Sequence, residues 1–229
     1  MDKDKVRSRI EEIGIVPVVR ASSQREAHIA AEAVCKGGIP IVEITMTCPG
    51  AIDVIRDLSK TAGSEILIGA GTVLTAADAL RCLDAGAQFL ASPGFNRATV
   101  DLAVRESKLI MAGALTPTEI IEAWTAGSDL VKIFPCGQVG GAKYIKALKG
   151  PLPQIPLVPT GGVNLSTAAE FIEAGAAALG IGGELVQPEA LKSNKPELIV
   201  ETARKFLEII ATARAKLASA AAKGNAQAL

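Results

Sequence analysis

Lys132 lies in the run Leu-Val-Lys-Ile-Phe-Pro (130–135), and Glu43 lies in Ile-Val-Glu-Ile-Thr-Met (41–46). Each charge interrupts a stretch that otherwise suits a strand covered on both faces, where removing an ion from water costs several kcal/mol. Side chains alternate along a strand. If Val131 and Ile133 face outward, Lys132 and Phe134 face inward; if Val42 and Ile44 face outward, Glu43 and Thr45 face inward. Burial favours the neutral amine, which can attack a ketone to form a Schiff base, and the resulting iminium withdraws electrons from the adjacent carbon. A carboxylate in reach, directly or through one water, can then move the protons that making or breaking a carbon–carbon bond requires. Two other readings stay open on these residues alone. One is a buried ion pair that only fixes packing; the other is a sugar-phosphate epimerase or isomerase with Glu43 as base and Lys132 as electrostatic support.

The remaining reactive side chains offer less. Lys143, Lys146 and Lys149 recur at helical spacing and read as a solvated face, and Lys108 begins a strand at the end away from the expected mouth. The one histidine, His28, falls in a helical pattern with charged neighbours. Cys35, Cys48, Cys82 and Cys136 are far apart with no Cys-x-x-Cys pair, which argues against structural zinc and a disulfide framework. Each reads as a small buried hydrophobe, with Cys136 the nearest to the expected site. Across the 229 residues, 24 Lys plus Arg balance 24 Asp plus Glu, so no overall field draws the chain to nucleic acid or anionic lipid. The charged stretch 1–12 lacks the apolar core of a signal peptide, and no run approaches the ~18 apolar residues of a membrane span. These features lead us to expect a cytoplasmic protein acting on small molecules.

The elements that must carry Lys132 and Glu43 follow from an alternation repeated along the chain. Eight short apolar runs read as strands: 14–20, 39–46, 66–73, 88–94, 108–114, 130–135, 157–162 and 177–183. Between them lie helical segments, several of which open on Ser, Thr or Asn and close on Gly. An Ala-Gly joint precedes the next strand at 85–86, 126–127 and 174–175, marking a repeated βα unit. Eight such units predict a (β/α)8 barrel in one domain over about 14–210, with a doubly wound sheet as the rival that alternation alone does not exclude. Residues 2–13 predict an extra helix across the barrel bottom and 196–216 a long closing helix, with 217–229 a flexible tail.

Active sites of such barrels form at the C-terminal ends of the strands. Arg20, Thr72 and Thr160 end strands one, three and seven, and so belong to that mouth. Gly161-Gly162 after strand seven and Gly182-Gly183 after strand eight fall on the two loops that commonly hold phosphate, where backbone N–H groups and a helix N-terminus make an anion cradle. The pattern predicts a phosphorylated small substrate.

Val-Glu-Ile-Thr-Met-Thr-Cys-Pro-Gly-Ala, Ile-Gly-Ala-Gly-Thr-Val-Leu, Ala-Ser-Pro-Gly-Phe, Thr-Pro-Thr-Glu, Val-Lys-Ile-Phe-Pro, Gly-Ala-Lys-Tyr-Ile-Lys-Ala-Leu-Lys-Gly-Pro and Val-Pro-Thr-Gly-Gly-Val-Asn occur in this order. The set, spanning about 16–186, resembles the 2-keto-3-deoxy-6-phosphogluconate (KDPG) and 4-hydroxy-2-oxoglutarate (KHG) aldolases, the class I pyruvate aldolases. The resemblance implies a homotrimeric barrel that cleaves KDPG to pyruvate and glyceraldehyde 3-phosphate without metal or other cofactor. The same resemblance makes KHG an expected second substrate and leaves the galactonate epimer of KDPG as the alternative to KDPG. It implies Lys132 as the Schiff-base lysine, Glu43 as general acid/base, and Thr72 as the holder of the pyruvate carboxylate. Pro93 and Phe134 correspond to the walls around the pyruvyl group, and Thr160, Gly161, Gly162, Gly182 and Gly183 to the distal and phosphate loops.

Two positions depart from the family pattern. Thr47 stands where some members carry a carboxylate-binding arginine, and Arg20 is the candidate to supply that guanidinium instead. Gly183 stands where many relatives have a serine, and Glu184 beside it is expected to point outward at a helix start.

Overall fold

Each of the eight apolar runs forms a strand, and each strand is shorter than the run that announced it. The computed structural model describes residues 2–63 and 65–226. The chain opens with α1 (Lys3–Ile13), β1 (Ile15–Val19), α2 (Gln24–Lys36), β2 (Ile41–Thr45), α3 (Ala51–Thr61) and β3 (Leu67–Gly71). It continues through α4 (Ala76–Asp84), β4 (Phe89–Ala91), α5 (Arg97–Arg105), β5 (Leu109–Ala114), α6 (Pro117–Thr125) and β6 (Leu130–Ile133). A 3-10 turn (Cys136–Val139) leads to α7 (Ala142–Lys149), β7 (Leu157–Pro159), α8 (Ala168–Glu173), β8 (Leu179–Ile181), α9 (Pro188–Lys192) and α10 (Glu197–Ala226).

The strands form one parallel sheet in the order β7-β6-β5-β4-β3-β2-β1-β8. A single parallel bridge between Thr160 and Gly180 joins its two ends, so the sheet closes into a (β/α)8 barrel and the open doubly wound alternative is excluded. Every residue of every strand is buried, as expected for strands covered by helices outside and by one another's side chains within. Helix starts follow their caps: Ser23, Thr75, Asn96 and Thr116 each accept a backbone N–H three residues on. The Ala-Gly joints work because Gly86, Gly127 and Gly175 turn the chain at φ of 104°, 104° and 96°, a region that a Cβ disfavours.

The extra helix α1 is fastened across the bottom of the barrel. Lys3 Nζ lies 2.9 Å from Asp129 Oδ1, at the entry to β6, and Asp129 Oδ2 accepts the Ile110 N–H of β5. Arg214 of α10 donates to the Glu11 and Glu12 carbonyls at the end of α1. The tail expected from 217 is helical as far as Ala226, because its alanine-rich sequence is a strong helix former; Gln227, Ala228 and Leu229 lie outside the described residues. The short helix α9 was not foreseen. Among the described residues, no helix is long and apolar enough to cross a membrane.

Candidate active site

β2 and β6 stand four places apart in the sheet, so their inward side chains meet across the barrel. Lys132 Nζ lies 3.3 Å from Glu43 Oε1, and the two residues are 4% and 1% exposed. With both side chains buried, the desolvation of each is offset only by the other, so removing either partner would leave a buried charge unpaired. Both side chains therefore face inward, as alternation along β2 and β6 requires.

Room for this pair comes from glycines. A Cβ on Gly71, at the end of β3, would lie 2.0 Å from Glu43 Oε1, so the carboxylate occupies the space the missing side chain leaves. On β5, Gly113 pairs in register with Lys132, and a Cβ there would collide with the Pro93–Gly94 backbone at 2.2–2.4 Å. Ser92 secures that crossing: its buried hydroxyl donates to the Gly94 carbonyl at 2.8 Å and accepts the Gly113 N–H at 3.2 Å. Pro93 is thus held beside the lysine strand. Thr72, next after Gly71, adopts φ of 57°, a left-handed conformation costly for a β-branched residue. Phe134 follows Lys132 out of β6, its N–H donating to the Ala114 carbonyl.

The loops after β6 and β7 are zipped together on the other side. Cys136 N–H donates to the Thr160 carbonyl and Gly137 N–H to the Gly161 carbonyl, both at 2.9 Å. Gly161 and Gly162 have φ of 85° and 79°, and a Cβ on Gly162 would come within 2.7 Å of Gly137. Among the described residues, the N–H groups of Gly162, Gly182 and Gly183 make no backbone hydrogen bond, which leaves donors for an anion. The expected helix N-terminus is displaced: an Asn164 turn intervenes, and α8 begins only at Ala168, so the donors left for the expected anion are loop amides rather than a helix N-terminus. Glu184 is exposed as expected, but it sits in a turn, with α9 starting four residues later.

Arg20 is exposed and reaches towards the β8 loop, where a Cβ on Gly182 would lie 2.8 Å from its Nη1. Thr47 is exposed, and its hydroxyl is 2.8 Å from that of buried Thr45. Burial pushes the Cys136 thiol up to about 12, which favours the neutral thiol over the nucleophilic thiolate. Lys149 is not simply solvated: its ammonium donates to the Pro153 and Ile155 carbonyls. His28 is part-exposed near Asp57, away from the barrel mouth, beside a flank groove of about 490 Å³ floored by outward residues such as Val42 and Ile68.

Gly71, Gly113, Ser92 and Gly137 are the residues that reading the sequence missed. For the three glycines the signal was a glycine inside an apolar strand or at its exit, which marks close approach of another group; Ser92 carried no signal of its own.

Comparison with known proteins gives the same picture along most of the chain. The family model for KDPG and KHG aldolase matches residues 6–202. A 2-dehydro-3-deoxy-phosphogluconate aldolase from Haemophilus influenzae is 32% identical over 206 residues, 90% of this chain and 97% of that one. The solved KDPG aldolase of Legionella pneumophila, with pyruvate captured as a covalent carbinolamine, superposes with a TM-score of 0.79 at 31% identity, covering 86% of this chain and 96% of that one. A native KDPGal structure gives 0.80 at 30% identity, covering 87% and 95%.

Proposed function

The chain belongs to the KDPG and KHG aldolase family, and from that premise we propose that it is a Schiff-base aldolase cleaving KDPG to pyruvate and glyceraldehyde 3-phosphate, with KHG as a second substrate. The observation that carries this reading is the buried Lys132–Glu43 pair, 3.3 Å apart at the mouth side of the barrel. The Lys132 amine adds to the C2 ketone, and loss of water gives an iminium. The C3–C4 bond breaks as its electrons flow towards the iminium nitrogen and the C4 hydroxyl proton passes to Glu43, directly or through one water. Protonation of the enamine and hydrolysis release pyruvate and regenerate the amine.

Thr72 is assigned to the pyruvate carboxylate and Pro93 and Phe134 to the pyruvyl walls, with Thr47 on the same rim. Thr160, Gly161, Gly162, Gly182 and Gly183 line the distal, phosphate-bearing end. Arg20 was expected to serve the carboxylate; its resting place on Gly182 favours the phosphate instead. Arg20→Ala should then raise KM for KDPG about 10-fold or more and leave KHG unchanged. Equal losses on both substrates would return Arg20 to the carboxylate.

Borohydride reduction with pyruvate tests the central step: we expect a covalent adduct on Lys132, abolished in Lys132→Met. No adduct on any lysine would overturn the aldolase reading. Glu43→Gln should lower kcat by roughly 10²–10⁴-fold. The likeness to a KDPGal structure favours one second reading, the galactonate epimer as substrate, which a side-by-side cleavage assay decides.

We also propose a cytoplasmic homotrimer. The exposed apolar side chains of Leu74, Leu80, Val104 and Ile121 come from consecutive βα units and would suit a subunit contact, and the free thiols fit a reducing compartment. A monomer mass by light scattering would refute the assembly, and recovery outside the cytoplasmic fraction would refute the location.

A further inference from the structure

The backbone at Arg20 has already left the sheet. The β1–β2 ladder ends at Val19 pairing with Ile44, and the β1–β8 ladder ends earlier, at Pro17 pairing with Ile181. The long side chain of Arg20 must nevertheless aim its guanidinium at Gly182. What holds the chain there is a thiol with a hydroxyl beside it. Cys48, 4% exposed, accepts the Ala21 N–H at 3.1 Å and donates to the Val19 carbonyl at 3.5 Å. These two groups bracket Arg20 on either side. The Thr45 hydroxyl adds a second donor to the same Val19 carbonyl at 2.9 Å and lies 3.7 Å from the thiol. Cys48 is fixed in its turn by its own N–H, which donates to the Thr45 carbonyl at 2.9 Å, and by its carbonyl, which accepts the Ala51 N–H at the start of α3.

We propose that Cys48 is a positioning residue that sets the aim of Arg20. The assignment rests on Arg20 binding an anionic group of the substrate. A thiol suits the task because it accepts from the Ala21 N–H and donates to the Val19 carbonyl at once, and its longer bond to Cβ brings it closer to both groups than a serine hydroxyl would come. Alanine loses both contacts and leaves the Ala21 N–H without its acceptor in a buried place. The guanidinium then samples more directions and meets the substrate less often in the productive one. Substitution here should act on binding, through Arg20, and leave the Lys132 chemistry intact.

A double-mutant cycle over Cys48→Ala and Arg20→Ala, read by steady-state kinetics on KDPG and KHG and by borohydride trapping with pyruvate, tests this. We expect Cys48→Ala to reproduce in weaker form the substrate pattern of Arg20→Ala, with KM raised about five-fold, kcat little changed and the Lys132 adduct at wild-type yield. It should add nothing in the Arg20→Ala background. Cys48→Ser, which keeps donor and acceptor, should recover part of the loss and also serves if the alanine variant folds poorly. Full additivity, a substrate pattern unlike that of Arg20→Ala, or a serine variant no better than alanine would each overturn the proposal. An Arg20→Ala variant with wild-type kinetics would overturn its premise separately, and a wild-type protein without a lysine adduct would overturn the aldolase reading instead.

Discussion

At the scale of residues, the site is made as much by what is missing as by what is present. Glu43 reaches its position because Gly71 has no Cβ, and Gly71→Ala should push the carboxylate aside. We expect kcat to fall about 10²-fold, by the sensitivity of proton transfer to misplacement, in a protein that still melts cooperatively. Thr72→Gly is expected to do the reverse to stability. It relieves the left-handed backbone at φ 57° and should raise Tm, while removal of the hydroxyl raises KM for pyruvyl substrates. A higher KM without any gain in Tm would show that the backbone there is not strained. The pair Lys132–Glu43 was legible in the sequence because a charge inside an apolar strand is costly and so demands a reason. Gly71 and Gly113 were not, since a glycine names no partner until the strand beside it is in place. Cys48 was read as a small hydrophobe because nothing local distinguishes a packed thiol from one that bridges two backbone groups.

At the scale of elements, the alternation of apolar runs and capped helices was enough for all eight strands. Boundaries were less legible: every apolar run overshot its strand, because apolar and small residues continue past the last ladder pairing and composition does not show where pairing stops. Thr160 is one such residue, 3% exposed although it lies past the end of β7. The start of α6 is the clearest local device. Thr116 and Glu119 form a capping box, and Thr116→Ala should cost about 1 kcal/mol of stability by denaturant unfolding. The N–H groups of Thr116 and Leu115 hold the Glu119 carboxyl below its ordinary value. A carboxyl lowered by folding adds stability above its unfolded pKa and loses it as pH falls through the folded one. The Tm gap between wild type and Glu119→Gln should therefore be full at neutral pH and close below about pH 4; a gap unchanged at pH 3 would contradict this.

At the scale of the molecule, the weakest line of the barrel is its closing seam. β7 and β8 are joined by one bridge, Thr160 to Gly180, at the foot of the two loops assigned to phosphate. A Cβ on Gly180 would sit 2.1 Å from Thr160 Oγ1, so Gly180→Ala should wedge the seam, lowering stability by roughly 1–3 kcal/mol and raising KM for KDPG. An adduct with pyruvate should still form, since neither Lys132 nor Glu43 is part of the bridge and the pair meets across the barrel from β6 to β2. The amine and the carboxylate stand 89 residues apart in the chain and meet only when β2 and β6 have both joined the sheet. The protein thus carries its own clock for assembly. During refolding, the capacity to be trapped on pyruvate should appear with the last phase of long-range order and in no intermediate that holds half of the strands, a chemical signal of completion that spectroscopy of helices does not give.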